Sequence, residues 1–516
     1  MKKPLNAFWT RIQQPANRRR YGIALGCALV IAGVLVLIRS GQARPPSPHV
    51  GTGGTSAHAS AGATRTPIVG RGLKGQLAIS QSAIEANGAR TVFAEIELAA
   101  QKLEGEAKRA PLATAIVLDH SGSMAGQKLA DARDAVARFV SGLGDDDYVA
   151  FIIYDDGGET VVPLTRVGDA RARILERVQG VRDGGGTNIP GGLSLGAAAL
   201  TAAPADSIRR VILFSDGLDG SGRALAAVKD EVRSWALSGT SVSALGIGSD
   251  YDARYMSAVA EVGNGNYGFL GTRELMATFV DKELSESTGT VADHVTASVV
   301  LPVGWRAKRA FGAVLDGDSG TVRLSMGALG VGEPRRVTLE LEVDAPRFGS
   351  AGEVTAEVAY RLVAARENMV VQSKPLALAS VASASDALAS RDVVIWGHAQ
   401  GLLADLAQER AVIAWQEGRT AEAAAIARAE QKRVRDTLAA MRSANASDAE
   451  MGPVRAVTES LGLALDDFRD VAPTSKLGKA KALSYGSARA RRGRSAGEAA
   501  AAEPATVGAA DEASLY

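Results

Sequence analysis

Ala115-Ile116-Val117-Leu118-Asp119-His120-Ser121-Gly122-Ser123 runs from an unbroken apolar tetrad into a carboxylate and two hydroxyls. A short apolar run closed by polar residues is the pattern of a strand buried on both faces. Outward from it the chain alternates. Residues 127–143 place Leu129, Val136, Phe139, Val140 and Leu143 at helical spacing, and 148–154 (YVAFIIY) reads as a second buried strand. An edge-type strand over 160–164 and a helix over 169–178 follow, then a small-residue helix over 193–203 and a strand over 211–214. A helix over 223–237, a strand over 242–247, a short helix over 255–262, a strand over 267–270 and a helix over 273–284 complete the block. This alternation predicts an α/β fold, a doubly wound and mostly parallel sheet spanning 111–288. Ligand sites in such sheets form beyond the carboxyl ends of the strands, where the strand order reverses.

Three polar groups fall at such ends or in the loops beside them. They are Asp119-His120-Ser121-Gly122-Ser123, the glycine-rich Gly184-Gly185-Gly186-Thr187-Asn188, and Ser215-Asp216-Gly217. Each alone is an ordinary turn signature. Together Asp119, Ser121, Ser123, Thr187 and Asp216 offer two carboxylates and three hydroxyls, an all-oxygen, hard donor set. Such a set suits Mg²⁺ or Mn²⁺ and suits zinc or copper badly.

The Asp-x-Ser-x-Ser of Asp119, Ser121 and Ser123, with Thr187 and Asp216 downstream, resembles the metal-ion-dependent adhesion site of von Willebrand factor type A domains. The stretches 245–252 (LGIGSDYD) and 263–267 (GNGNY) resemble most the bacterial branch related to inter-alpha-trypsin inhibitor heavy chains and calcium-activated chloride-channel-like proteins. The resemblance implies a Rossmann-like domain and a cation, Mg²⁺ with Mn²⁺ or Ca²⁺ as alternatives, held by those five residues. It also implies one coordination position left for an Asp or Glu of a partner protein. Two aspartates balance the charge of a divalent ion, and hydroxyls add ligands without adding charge, so the ion still attracts an external carboxylate. His120 and Gly122 alternate away from the cluster.

Catalysis is not expected. Metal-assisted hydrolysis needs a positioned base or a second metal. Asp145-Asp146-Asp147 lies in a helix-to-strand loop at the opposite end of the sheet and reads as a solvated turn. Asp155-Asp156 and Asp219 lie at the correct end and read as surface loop at the rim of the site. No glycine stands two residues before either serine, which excludes a nucleophile elbow. Gly184 to Gly186 lacks the Gly-Lys-Ser/Thr of a phosphate cradle.

Composition narrows the classes further. The 516 residues hold 58 Lys plus Arg against 57 Asp plus Glu, so no global field points to nucleic acid. One cysteine, Cys27, excludes a disulfide framework, and the five scattered histidines form no His-x-x-x-His pair. Residues 1–20 are basic and free of acids, and 21–38 (YGIALGCALVIAGVLVLI) run 18 residues without a charge. As a helix that run would be about 27 Å long, close to a bilayer core. The basic flank predicts an uncleaved signal anchor, a cytoplasmic 1–20 and an exported remainder, in the periplasm of a bacterial inner membrane. Residues 39–75 are rich in Gly, Ser, Thr and Pro and read as a flexible linker.

Apolar alternation over 76–110 and strand-like runs over 289–380 predict one β-sandwich with the α/β domain inserted in it. Residues 381–445 read as a helical hairpin, one helix over 386–416 breaking near Gly397 and Gly401 and the other over 420–442. Residues 446–516 read as partly helical and then a disordered, Ala/Gly/Ser-rich tail from about Val471, in which 476–494 carry seven basic residues and no acid. The sequence therefore predicts a membrane-anchored, non-enzymatic adhesion or scaffold protein with a Mg²⁺-dependent protein contact. The competing reading is an accessory subunit of a membrane complex acting mainly through the helical hairpin.

Overall fold

The central strand Leu112–Asp119 sends Leu112, Ile116 and Leu118 to one apolar layer, with Phe139 and Phe214. Ala113, Ala115 and Val117 go to the other, with Tyr154 and Leu213. A strand apolar on both sides needs cover on both sides. Helices Gln127–Gly142, Val167–Gln179 and Arg273–Thr288 cover the first face, and Ile189–Ala199, Leu225–Leu237 and Ala253–Val262 the second. This computed structural model describes residues 62–485, apart from 103–108, 217, 249–251, 271–272, 332–333, 476, 480 and 484.

The sheet order is Asn264–Leu270, Thr240–Ile247, Ile208–Ser215, Leu112–Asp119, Tyr148–Tyr154, Gly158–Arg166. All neighbours are parallel except the last pair. From Leu112–Asp119 the chain steps first to one side and later returns to the other, so the order reverses between this strand and Ile208–Ser215. Glycines let helix Ile189–Ala199 lie directly on the sheet: a Cβ at Gly192 would stand 2.6 Å from the Tyr154 ring, and one at Gly196 2.7 Å from a Val117 methyl.

On either side of this block, two sheets share a single apolar core that includes Ile68, Leu77, Ile96, Val299, Trp305, Leu341 and Val358. One is antiparallel: Arg65–Gly70, Leu73–Ile79, Gly88–Ala100, Arg335–Ala345, Trp305–Phe311. The other runs Val314–Asp316, Thr321–Gly330, Thr290–Val300, Gly349–Leu362, Leu376–Val381, Ala83–Glu85, with Glu367–Gln372 paired to Gly349–Leu362. The chain leaves the first sheet at Ala100 and enters the second at Thr290, so the α/β block is an excursion between sheets.

The excursion is fastened at its root. The Arg109 guanidinium donates two 2.7 Å hydrogen bonds to Asp147, whose carboxylate also accepts from the backbone N–H of Leu112 (2.9 Å) and Gly144 (2.7 Å). Asp147 is fully buried, which corrects the reading of the Asp145-Asp146-Asp147 run as a solvated turn. Arg361 joins Asp293 to the carbonyls of Ala205 and Ser207, and Asn264 donates to Ser325 Oγ at 2.8 Å.

Three further expectations are corrected. The linker expected over 39–75 is folded from Arg65 onward, because Ile68 and Leu73 supply buried apolar anchors on either side of a turn at Gly72 (φ +68°). The first long helix does not break at Gly397 or Gly401. It starts afresh at Val393, capped by Asp392, after a short helix Ala384–Ala389, and Gly397 serves close packing, 2.5 Å (from a built Cβ) to Met441 Sδ. The expected hairpin Val393–Gln416 and Thr420–Ser443 gains a third partner, Asp448–Asp470, whose first turn carries a capping box of Ser447 and Glu450.

The disordered tail expected from about Val471 is also corrected in its described part: Leu483 joins the α/β core, and Tyr485 donates to Asp467 at 2.6 Å. Residues 486–516, and the apolar run 21–38, lie outside the described residues. Among the described residues no helix is long and apolar enough to cross a membrane.

A buried polar knot ties the helices to the first sheet. His398 Nδ1 lies 3.0 Å from Glu95 Oε2 and Nε2 lies 2.9 Å from the Glu450 carbonyl, while Arg336 approaches Glu95 at 3.2 Å. Arg65 and Asp392 form a bidentate pair beside it.

Candidate metal centre

Parallel pairing sets the site's frame. Asp119 ends the central strand opposite Tyr154, and Ile208–Ser215 lies on the other flank with Asp216 as the next residue. Both carboxylates thus emerge at adjoining strand ends on one edge of the sheet. They are buried, Asp119 fully and Asp216 nearly so.

The turn after Asp119 is shaped by its own side chain. Asp119 Oδ1 accepts from the Ser121 N–H at 2.9 Å, which folds the chain back into the short turn Gly122–Met124. Gly126 (φ +82°) then makes the left-handed entry to helix Gln127–Gly142 that a side chain would strain. The turn brings Ser121 Oγ within 3.1 Å of Ser123 Oγ, and Ser123 Oγ donates to Asp216 Oδ1 at 2.8 Å. Ser121 is buried and Ser123 faces solvent.

The glycine-rich loop arrives by backbone contacts. Gly122 N–H donates to the Gly185 carbonyl (3.1 Å), Gly184 N–H to the His120 carbonyl (2.8 Å) and Gly220 N–H to the Thr187 carbonyl (2.7 Å). Thr187 is thereby held, half-buried, between the Asp119 turn and the Asp216 loop. Asn188 caps helix Ile189–Ala199 through the Gly191 N–H. A Cβ at Gly185 would stand 2.5 Å from Asp155 Oδ2 and one at Gly186 2.3 Å from Asp156 Oδ1, so these glycines admit both rim aspartates. Asp219 accepts from Ile189 N–H at 3.2 Å and from Ser221. His120 turns away, its Nδ1 2.8 Å from the Arg182 carbonyl.

All five predicted residues thus converge on one edge, with Asp119, Ser121, Ser123 and Asp216 in one hydrogen-bonded chain and Thr187 brought alongside by its backbone. Sequence reasoning missed three supporting groups. Ser215 Oγ donates to Asp119 Oδ2 at 2.7 Å, Tyr154 Oη approaches the same oxygen at 3.3 Å, and Lys128 Nζ lies 2.5 Å from Asp216 Oδ2. Two had readable signals: Ser215 adjoins Asp216, and Lys128 is a cation in the first turn of a helix, where anions are favoured.

The electrostatics suit a cation. Burial pushes the Asp119 carboxyl above its ordinary range against the pull of Ser121 and Ser215, and the neighbouring Asp216 pushes it further. Burial likewise lifts the Tyr154 phenol well above its usual value, with Asp119 adding to the shift. A divalent ion beside these carboxylates removes the penalty of charging Asp119. Among the described residues no three His, Cys, Asp or Glu side chains group as ligands; the donors are two carboxylates and hydroxyls, which fit a hard ion.

Comparison with known proteins bears on the α/β block as a whole. Residues 115–280 match the family profile described as the von Willebrand factor type A domain. The uncharacterized protein sll0103 of Synechocystis is 29% identical over 201 residues, covering 37% of this chain and 46% of that protein. The uncharacterized protein YfbK of Escherichia coli is 27% identical over 194 residues, 37% of this chain and 33% of that one. The chain thus spans less than half the length of either relative. Human inter-alpha-trypsin inhibitor heavy chain H3 is 34% identical over 117 residues, 21% of this chain and 13% of that protein. Among solved structures, a von Willebrand factor type A protein from Catenulispora acidiphila superposes with a TM-score of 0.57 at 20% identity, covering 80% of this chain and 92% of that one. The ArnB paralog VWA2 of Sulfolobus acidocaldarius gives 0.52 at 12% identity, covering 77% and 98%. The profile match begins within the central strand that carries Asp119 and ends within the last helix of the α/β block, so residues 115–280 of this chain form a von Willebrand factor type A domain.

Proposed function

We propose that this protein binds another protein through a divalent cation held by Asp119, Ser121, Ser123, Thr187 and Asp216, with Mg²⁺ as the ion and Mn²⁺ or Ca²⁺ as substitutes. The observation that carries the reading is the layering of donors: carboxylates buried at adjoining strand ends, with the exposed Ser123 bonded to one of them and the half-buried Thr187 alongside. Asp119 and Asp216 would supply the negative charge that balances the ion. Ser215 and Tyr154 hold Oδ2 of the Asp119 carboxylate and the Ser121 N–H holds Oδ1, so the carboxylate is fixed in orientation beside the hydroxyls of the turn. When bound, the ion supplies Lewis acidity and charge for an incoming Asp or Glu.

Two of the rim aspartates are held by hydrogen bonds of their own rather than left to act as a base. Asp219 is committed to Ile189 and Ser221, and Asp155 to the N–H of Gly157. We accordingly read the domain as a binding module without catalysis. The charge-free run 21–38 behind a basic segment supports an inner-membrane anchor, with the described domains on the periplasmic side. The helical layer is engaged within the chain, through His398 to the first sheet and Leu483 to the α/β core, which favours the metal rim over the helices as the contact surface.

The test is capture from detergent-solubilised membranes by the full chain in Mg²⁺, in chelator, and with Asp119→Ala. A protein retained in Mg²⁺ and lost in both other arms supports the reading. Capture unaffected by chelator and by Asp119→Ala overturns it.

A further inference from the structure

We propose that Lys128 is a built-in counter-cation of this site: it pairs with Asp216 in the metal-free protein and competes with a divalent ion for that carboxylate. The inference rests on the reading of the five residues as a metal centre and adds a regulator that the five-residue pattern does not contain.

Three observations carry it. Lys128 Nζ stands 2.5 Å from Asp216 Oδ2 while Ser123 takes Oδ1, so the lysine and the serine together use both oxygens of a side chain that is 0% exposed. Lys128 sits in the first turn of helix Gln127–Gly142, a turn with no acidic residue. An ammonium there opposes the helix dipole, so the helix gains nothing from it, and its favourable interaction lies across the site. The lysine side chain is only 21% exposed, which keeps its charge close to the carboxylates and weakly screened.

Charge arithmetic gives the consequence. Asp119, Asp216 and Lys128 sum to −1, against −2 for the two aspartates alone. The site therefore stays assembled without metal, at the expense of attraction for one. Displacing a hydrogen bond between charged groups, as the entering ion must, costs about tenfold or more in affinity.

The experiment is a Mn²⁺ titration by calorimetry on the full chain, for wild type, Lys128→Met, Lys128→Arg and Asp119→Ala, each checked for fold by circular dichroism. Lys128→Met is expected to bind Mn²⁺ about tenfold tighter than wild type, with a lowered metal-free melting temperature that saturating Mn²⁺ restores, and Lys128→Arg to behave as wild type. Equal or weaker Mn²⁺ affinity in Lys128→Met overturns the inference. Wild type that takes up no Mn²⁺ removes the metal centre itself, a separate failure. A second reading needs no variant: Lys128 in the wild type, followed by amine labelling and peptide mass spectrometry, is expected to gain reactivity when Mn²⁺ saturates the site. Labelling that is the same with and without bound Mn²⁺ also overturns the competition.

Discussion

Replacing Asp147 by alanine tests whether the root of the inserted domain is a built joint or a solvated turn. The carboxylate is fully buried and accepts four hydrogen bonds, two from Arg109 and one each from the N–H groups of Leu112 and Gly144. Arg109 is more than a third exposed, so water takes over much of what it loses. Leu112 is buried, and its orphaned N–H carries the larger penalty, about 1–3 kcal/mol. Adding the weaker terms from Gly144 and Arg109 gives about 3–4 kcal/mol, within the range for breaking a buried pair by removing one partner. Urea unfolding of the full chain followed by far-UV circular dichroism reads this as a midpoint lowered by about 1 M or more. Arg109→Ala should lose less, and the double variant should lose little beyond Asp147→Ala. Mn²⁺ affinity should not move, because the residue lies at the far end of the sheet from Asp119. A loss under about 1 kcal/mol would refute the reasoning and restore the solvated turn.

Other consequences are equally open to measurement. Gly192→Val drives a side chain into the Tyr154 ring and should destabilise by about 1–3 kcal/mol in thermal melts. Because Tyr154 leans on Asp119, the same change should weaken Mn²⁺ uptake. Burial pushes the Glu95 carboxyl up, but His398 and Arg336 outweigh it and hold it below the ordinary carboxylate range. Its contribution is then present above the unfolded value of about 4.3 and is lost as pH falls through the folded one, so melting temperature should drop on the acid side and Glu95→Gln should flatten that limb. Leu483→Asp should release the segment after Asp470 from the α/β core, seen as faster proteolysis there with the Mn²⁺ site intact.

What the sequence disclosed and what it hid follow from the range of the interactions involved. The α/β block was legible because strand Leu112–Asp119 and its neighbours are buried on both faces and read as continuous apolar runs. Asp119, Ser121 and Ser123 are contiguous, and the turn that joins them is made by Asp119 itself. Lys128 stands out locally as a cation in the first turn of a helix, but its partner was hidden because it lies 88 residues away. Strand Arg65–Gly70 was hidden by its surroundings: a Gly/Ser/Thr-rich average masks Ile68, the one buried apolar side chain that anchors it. Helix Asp448–Asp470 carries Pro453 and leads into a basic, glycine-bearing stretch, which obscured a third amphipathic element whose Leu461 and Phe468 pack on the other two. Asp147 looked like one acid among three; burial distinguishes it, and burial belongs to the tertiary structure.

Anomalous diffraction from crystals of the protein grown with Mn²⁺ tests the central claim most directly. One strong peak is expected at the edge of the sheet between the Asp119 turn and the Asp216 loop, coordinated by side-chain oxygens of the five named residues directly or through water, with the peak absent in Asp119→Ala. A peak elsewhere, or none at saturating Mn²⁺, would contradict it.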